Sequence, residues 1–275
     1  MSVRPEWWLS VLAKIWPITW ISARATKWPV VGGLIARVAL PTFSKKNLNI
    51  TYIPINENIS DASGSSLVPR QVIENLIRRS SHRAIIHRCT CRDAKGCKEH
   101  PIDLGCLFLG EGAKDIDPRI ARHVSVEDAL EHVDKCLEDG LIPMTGRVKL
   151  DNFIWGVPDR GRLLTFCFCC RCCCTILNSG KFLPKEAANS IVRLQGLRII
   201  TDHDLCVACG NCVDECPMGA LTMREGKVYH DEDLCIGCGI CISVCPEGAI
   251  HTEVEDVDAA IEELTNRIDS MVDIG

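Results

Sequence analysis

Apolar positions recur at helical spacing in several stretches of this chain. In LVPRQVIENLIRRS, Val72, Ile73, Leu76 and Ile77 share one face, Pro69 suits the first turn, and Arg78 and Arg79 near the end favour the helix dipole. SVEDALEHVDKCLEDG at 125–140 predicts another helix. Ser125 and Asp128 have capping-box spacing, Val126, Ala129, Leu130, Val133, Cys136 and Leu137 form the stripe, and Gly140 can end it. Cys136 therefore reads as a core residue, because free cysteine is commonly buried. PKEAANSIVRLQGL at 184–197 predicts a third helix. The acidic tail at 253–275 predicts a fourth, which Ile261, Leu264, Ile268, Met271 and Val272 would pack back onto the protein. Strand-like runs are RAIIHR at 83–88 and the start of RGRLLTFCFCCRCCCTIL at 160–177. SDASGSS at 60–66 reads as a flexible connection.

The first fifty residues follow another pattern. Trp7, Trp8, Trp16, Trp20 and Trp28 lie here, five of the six tryptophans, among basic residues and broken by Pro17, Pro29 and Pro41. No apolar run reaches the roughly 18–20 residues that span a bilayer, and recurring charges without a small-residue cleavage site argue against a signal peptide. Tryptophan with basic residues suits a lipid–water interface, with the indoles at headgroup level and the cations on anionic lipid. The same apolar faces also suit docking on a partner subunit or on the protein's own core. Charge reinforces the contrast: residues 1–50 carry a net +6 and the other 225 carry −11, out of −5 overall. The acidic balance speaks against general nucleic-acid binding.

Chemistry enters with the cysteines. Nineteen is far above average usage, the number is odd, and many are adjacent, which a secreted disulfide framework explains badly and metal ligation in a reducing, oxygen-poor cytoplasm explains well. Residues 202–221, DHDLCVACGNCVDECPMGAL, recur 29 positions later as DEDLCIGCGICISVCPEGAI. Each copy is C-x2-C-x2-C-x3-C-P. The tight loop can supply three thiolates to a cubane while the fourth cysteine, followed by Pro217 or Pro246, leaves the loop and in this arrangement serves the other cluster. Cys206, Cys209, Cys212 and Cys245 then form one set, and Cys235, Cys238, Cys241 and Cys216 the second. Zinc sites also use C-x2-C pairs, but a duplicated four-cysteine run with proline after each is a poor zinc pattern. His203 and His230, just before the two runs, read as exposed.

On these residues, the stretch 198–252 resembles the two-cluster bacterial ferredoxins. The resemblance implies a small pseudo-twofold fold around two [4Fe–4S] clusters and low-potential, one-electron relay. The whole chain, with a C-x-C-R…G-C-L-x-x-G segment and a C-x-C-C-x-C-C-C segment upstream, is similar to uncharacterised ferredoxin-type proteins of anaerobic microbes, a likeness that brings no established activity.

The upstream segments hold Cys89, Cys91, Cys97 and Cys106, then Cys167, Cys169, Cys170, Cys172, Cys173 and Cys174. If extended, Cys89/Cys91 and Cys167/Cys169 would each face one side of a strand, and the two segments could close over one further site, an iron–sulfur cluster or zinc. Arg88, Arg92 and Arg171 would offset its negative charge, and His87 and His100 are extra candidate ligands. The alternative is structural zinc or a set of buried thiols.

The expected architecture is α+β. A Trp-rich basic segment at 1–50 (membrane surface or partner docking) precedes a cysteine-rich α/β domain at 51–197, the ferredoxin-like unit at 198–252 and an acidic helix at 253–275. No Walker loop or G-x-G-x-x-G is present, so any catalysis must use the metals or a partner's cofactor. The expected role is a cytoplasmic electron carrier, peripheral on the membrane's inner face or bound to redox partner proteins. The rivals are a reductase whose upstream site is catalytic and a structural or redox-sensing subunit.

Overall fold

A six-stranded sheet in the computed structural model, which describes residues 4–30, 32–39, 44–54, 59–60, 66–67, 69–182 and 188–275, organises the upstream cysteines. Before it come α1 (Trp7–Ile15), α2 (Pro17–Ala25) and α3 (Gly32–Ala39). Then follow β1 (Leu48–Tyr52), the short ladder of β2 (Ile59–Ser60) with β3 (Ser66–Leu67), α4 (Pro69–Arg79), β4 (Arg83–Ile86), α5 (Thr90–Lys95), β5 (Leu107–Leu109), β6 (Ala121–His123), α6 (Val126–Glu138), β7 (Ile142–Val148), α7 (Lys149–Trp155), β8 (Leu164–Cys169) and α8 (Thr175–Ser179). The sheet order is β1-β7-β8-β5-β4-β6, and every pairing between named strands in it is antiparallel. This half is therefore α+β like the whole chain, not α/β: α/β units are built on parallel strand pairs, and the named strands of this sheet pair antiparallel. The expected connection at 60–66 lies largely outside the described residues.

The two sheet faces have different neighbours. Ile85, Leu107, Leu109, Leu164, Phe166 and Phe168 pack against α4, α6 and the last helix of the chain. The capping box at Ser125 and Asp128 starts α6, and Cys136 sits fully buried in this core. Across the sheet, Ala84, Ile86 and Phe108 meet Leu9 and Leu12 of α1 and Ile154 and Trp155 of α7. Strand alternation on β8 thus sends Phe166 and Phe168 one way and Cys167 and Cys169 the other.

Of the helix expected at 184–197, Ala188 is helical and 189–197 are not. Residues 183–187 lie outside the described residues. Beyond them Ile191 forms a bridge with Ile50, where Ile50 N–H donates to Ser190 C=O and Val192 N–H to Ile50 C=O. An open sheet edge beside the β-branched Ile191 and Val192 outcompetes helix propensity here.

The last quarter contains β9 (Leu197–Thr201), α9 (Asn211–Glu215), β10 (Leu221–Arg224), β11 (Lys227–His230), α10 (Ile240–Ser243), β12 (Ile250–Val254) and α11 (Val257–Met271). Leu264 and Ile268 of α11 are buried in the sheet core, and its Arg267 donates to Asn49 Oδ1 and Thr51 Oγ1 at 2.7 and 2.8 Å.

The Trp-rich segment docks one face on the protein's own core. Trp8 Nε1 donates to Ile154 C=O at 2.9 Å and Trp16 Nε1 to Thr175 Oγ1 at 2.6 Å. Trp7, Ile18, Ile21 and Trp28 remain exposed. Among the described residues no helix is long and apolar enough to cross a membrane.

Candidate metal centres

The C-terminal duplication is also a duplication of structure. Shifting by 29 positions carries β9 onto β11, α9 onto α10, and β10 onto β12. The pairs β12–β9 and β10–β11 exchange under that shift, and so do two cross-links: Asp202 N–H to Ala249 C=O and Asp231 N–H to Ala220 C=O. Each short helix starts after a left-handed glycine, Gly210 at φ 83° and Gly239 at φ 76°, a conformation that costs glycine little. Pairing each half's strand with the other half's brings the fourth cysteine across. One cavity is lined by Cys206, Cys209, Cys212 and Cys245, and a second by Cys235, Cys238, Cys241 and Cys216.

The donor chemistry fits cubanes. Backbone N–H groups already point at sulfur: Ala220 at Cys216, Ala249 at Cys245 and Gly237 at Cys235, at 3.2–3.4 Å. Burial pushes the Cys238 thiol up to about 12, so metal binding there must expel a proton. His203 is exposed, but His230 is not. It lines the second cavity, its Nε2 is buried without a hydrogen-bond partner, and burial lowers its pKa.

The upstream cysteines divide by geometry. Cys97, Cys170, Cys172 and Cys173 bring their sulfurs within 4.8 Å of one another, a tetrad that could hold a metal ion. Gly96, left-handed at φ 60°, turns the chain out of α5 into Cys97, and Cys97 and Cys172 sulfurs lie 3.6 Å apart. Burial pushes Cys173 up to about 12. For Cys97 burial works the same way, but backbone N–H groups of Glu99 and His100 outweigh it and the thiol is lowered. His100 hydrogen-bonds Asp139 at 2.8 Å, with Glu99 and Cys172 nearby; His87 is exposed.

Cys89, Cys91, Cys106, Cys167, Cys169 and Cys174 line a chamber of about 420 Å³ on the sheet face opposite α4 and α6, and Cys170 of the tetrad also reaches its wall. Extending the β5–β8 register one residue sets Cys106 opposite Cys167, and their sulfurs are 3.3 Å apart. Cys89 and Cys91 are not on a strand: Cys89 caps α5 and Cys91 lies within it. Trp16, Thr19 and Ala23 from α1–α2 complete the wall. Asp151 faces the chamber too; burial pushes its carboxyl up to about 7, against a 2.8 Å hydrogen bond from Thr165.

Charges around these thiols are unusual. Arg92, only 1% exposed, lies between the two groups and donates to Phe168 C=O at 3.0 Å and to Leu104 C=O, with no carboxylate partner among the described residues. The ionisable groups that interact with it most are the thiols of Cys89, Cys170 and Cys106. Arg88 and Arg171 instead pair with Asp93 and Glu215. Tyr52, fully buried, has an unpartnered hydroxyl close to Cys169, Cys174 and Cys238. Sequence reasoning missed Tyr52: a tyrosine in an apolar strand carries no signal of what it will meet.

Residues 205–249 match the 4Fe-4S dicluster domain family. The chain thus carries a ferredoxin-type iron–sulfur domain, and that domain with the cysteine tetrad supports an iron–sulfur electron-transfer role. No curated protein matches the chain.

Proposed function

We propose that the chain relays single low-potential electrons through two [4Fe–4S] clusters, held by the cysteine sets that line the two C-terminal cavities, to a further metal centre on the upstream cysteines. The observation that carries this reading is a shared core: Ile236, Cys238 and Ile240 of the second repeat pack with Tyr52, Cys169 and Cys174. Bound clusters would supply the one-electron chemistry. The protein's part is to hold them within one apolar body, exclude water and offer backbone donors to sulfur. Cys209, Leu205 and Val207 are exposed beside the first cavity, the side on which a protein redox partner would dock. The reading implies a reducing, oxygen-poor cytoplasm and an oxidoreductase system that this chain serves. Cys209→Ala and Cys238→Ala should each release one cubane and abolish transfer; unchanged rates in both would sink it.

A second reading concerns location. Trp7, Ile18, Ile21 and Trp28 are exposed near Lys14 and Lys27, which favours a peripheral membrane contact. Replacing Trp7, Ile18 and Ile21 by Ser should abolish co-sedimentation with anionic vesicles while both C-terminal clusters persist; equal sedimentation would refute it.

A further inference from the structure

The upstream thiols are too many for one centre and are not gathered as one. The tetrad satisfies a four-coordinate ion by itself. The remaining six line a chamber that Cys170 of the tetrad borders, and its about 420 Å³ compares with about 20 Å³ at each C-terminal cavity. Resting on the proposed reading that the upstream cysteines hold metal, we propose that this six-thiol chamber is a separate site for an iron–sulfur cluster larger than a cubane. Cys89, Cys91, Cys106, Cys167, Cys169 and Cys174 would be its ligands.

Coordination arithmetic favours that size. A cubane presents four iron corners to thiolates. Two cubanes linked corner to corner through a sulfide leave roughly six, matching the six chamber cysteines that the tetrad does not use; the seventh on the wall, Cys170, belongs to the tetrad. Two independent observations point to an anionic, acceptor-rich occupant. Arg92 is a buried cation without a carboxylate, set against Cys89, Cys106 and Cys170; a buried charge needs a counter-charge, and thiolates on a cluster provide it. The Tyr52 hydroxyl is a buried donor without an acceptor among the described residues, close to Cys169 and Cys174, and a thiolate or sulfide there would accept its hydrogen bond. Cys238 lies against the same tyrosine, so the chamber is next in line after the second C-terminal cluster. Thr175, which hydrogen-bonds both Trp16 and Cys91, ties the N-terminal helices over the chamber's open side.

The test is metal analysis of the full chain, purified without oxygen, and of two double variants. Cys106→Ser/Cys167→Ser should lose about eight irons and leave the tetrad's metal and both C-terminal EPR signals in place. Cys97→Ser/Cys172→Ser should lose only the tetrad's metal. The intact C-terminal signals show that each variant has folded. Tyr52→Phe should keep all its iron and shift the Mössbauer spectrum of the chamber's irons. Loss of the same metal by both double variants, or no iron lost from the first, overturns the inference. A parent chain holding about twelve irons keeps the upstream cluster and removes the larger one; about eight removes both.

Discussion

The two C-terminal repeats are nearly the same sentence written in different surroundings. In the first, Leu205, Val207 and Cys209 face solvent; in the second, Leu234 is half-buried against the repeat unit's own core, and Ile236 and Cys238 are buried against the cysteine-bearing sheet. Val207 is 61% exposed and Ile236 4%. A local motif fixes ligand spacing equally in both copies. The difference comes from what each copy packs against: one side faces solvent and the other is continuous with the upstream thiols. The duplicated unit thereby acquires an outside and an inside.

The largest test of that difference is a matched pair of charges. Ile236→Asp should destabilise the protein by about 3–5 kcal/mol, since it places an unpaired carboxylate in the shared core. Val207→Asp should stay within about 0.5 kcal/mol. Anaerobic thermal unfolding reads both; equal shifts would mean that the repeats are not differently embedded.

A finer pair concerns the backbone. Ala208 and Gly237 occupy equivalent positions with φ 56° and 69°. Ala208 adopts a left-handed conformation that L-residues avoid, so Ala208→Gly should be neutral or stabilise by up to about 1 kcal/mol. Gly237→Ala should cost about 1–3 kcal/mol, because its added Cβ would meet buried Leu197 Cδ2 at 2.6 Å and Arg193 Cγ at 3.2 Å. A cost at Gly237 well above the gain at Ala208 would show that crowding, beyond the turn itself, distinguishes the copies. Equal magnitudes would undo the comparison.

What could be read from sequence follows the same division. The repeat was legible because ligand spacing and the prolines all lie within a short window, so the expected cysteine sets could be written down before any fold was known. The upstream thiols were legible as candidate ligands, but not in their grouping. Cys106 and Cys167 meet only because β5 and β8 pair across 61 residues of sequence, and Tyr52 reaches Cys169 from a strand two positions away in the sheet. Reading Cys89 and Cys91 as a strand pair failed because Cys89 opens a helix. Alternation on β8 held because that segment is a strand. Patterning found α4, α6 and α11, whose stripes face one core, but not the bridge at Ile191, which depends on a sheet edge that local sequence does not display.

The smallest expected effect lies in the body on which the inner repeat leans. His132 is buried beneath β8, edge-on to Phe168 with ring centroids 5.6 Å apart, and its Nε2–H donates to Gly105 C=O at 2.9 Å. Burial lowers its pKa, and Arg122 and Arg92 add to this, while the Gly105 bond and Asp103 oppose it. The native state therefore resists a proton that the unfolded chain takes up at about 6.5. In that window the unfolded state holds more protons, so stability is full above about pH 6.5, declines as pH falls toward the lowered native value, and levels off below it. His132→Gln, neutral at every pH and able to keep the N–H to Gly105, should remove this slope while leaving stability above pH 7 nearly unchanged. The comparison sharpens if the acid-side slope is lost along with the histidine while the first repeat's EPR signal is unaffected. Parallel pH profiles for the two proteins would assign the acid sensitivity to groups other than this core.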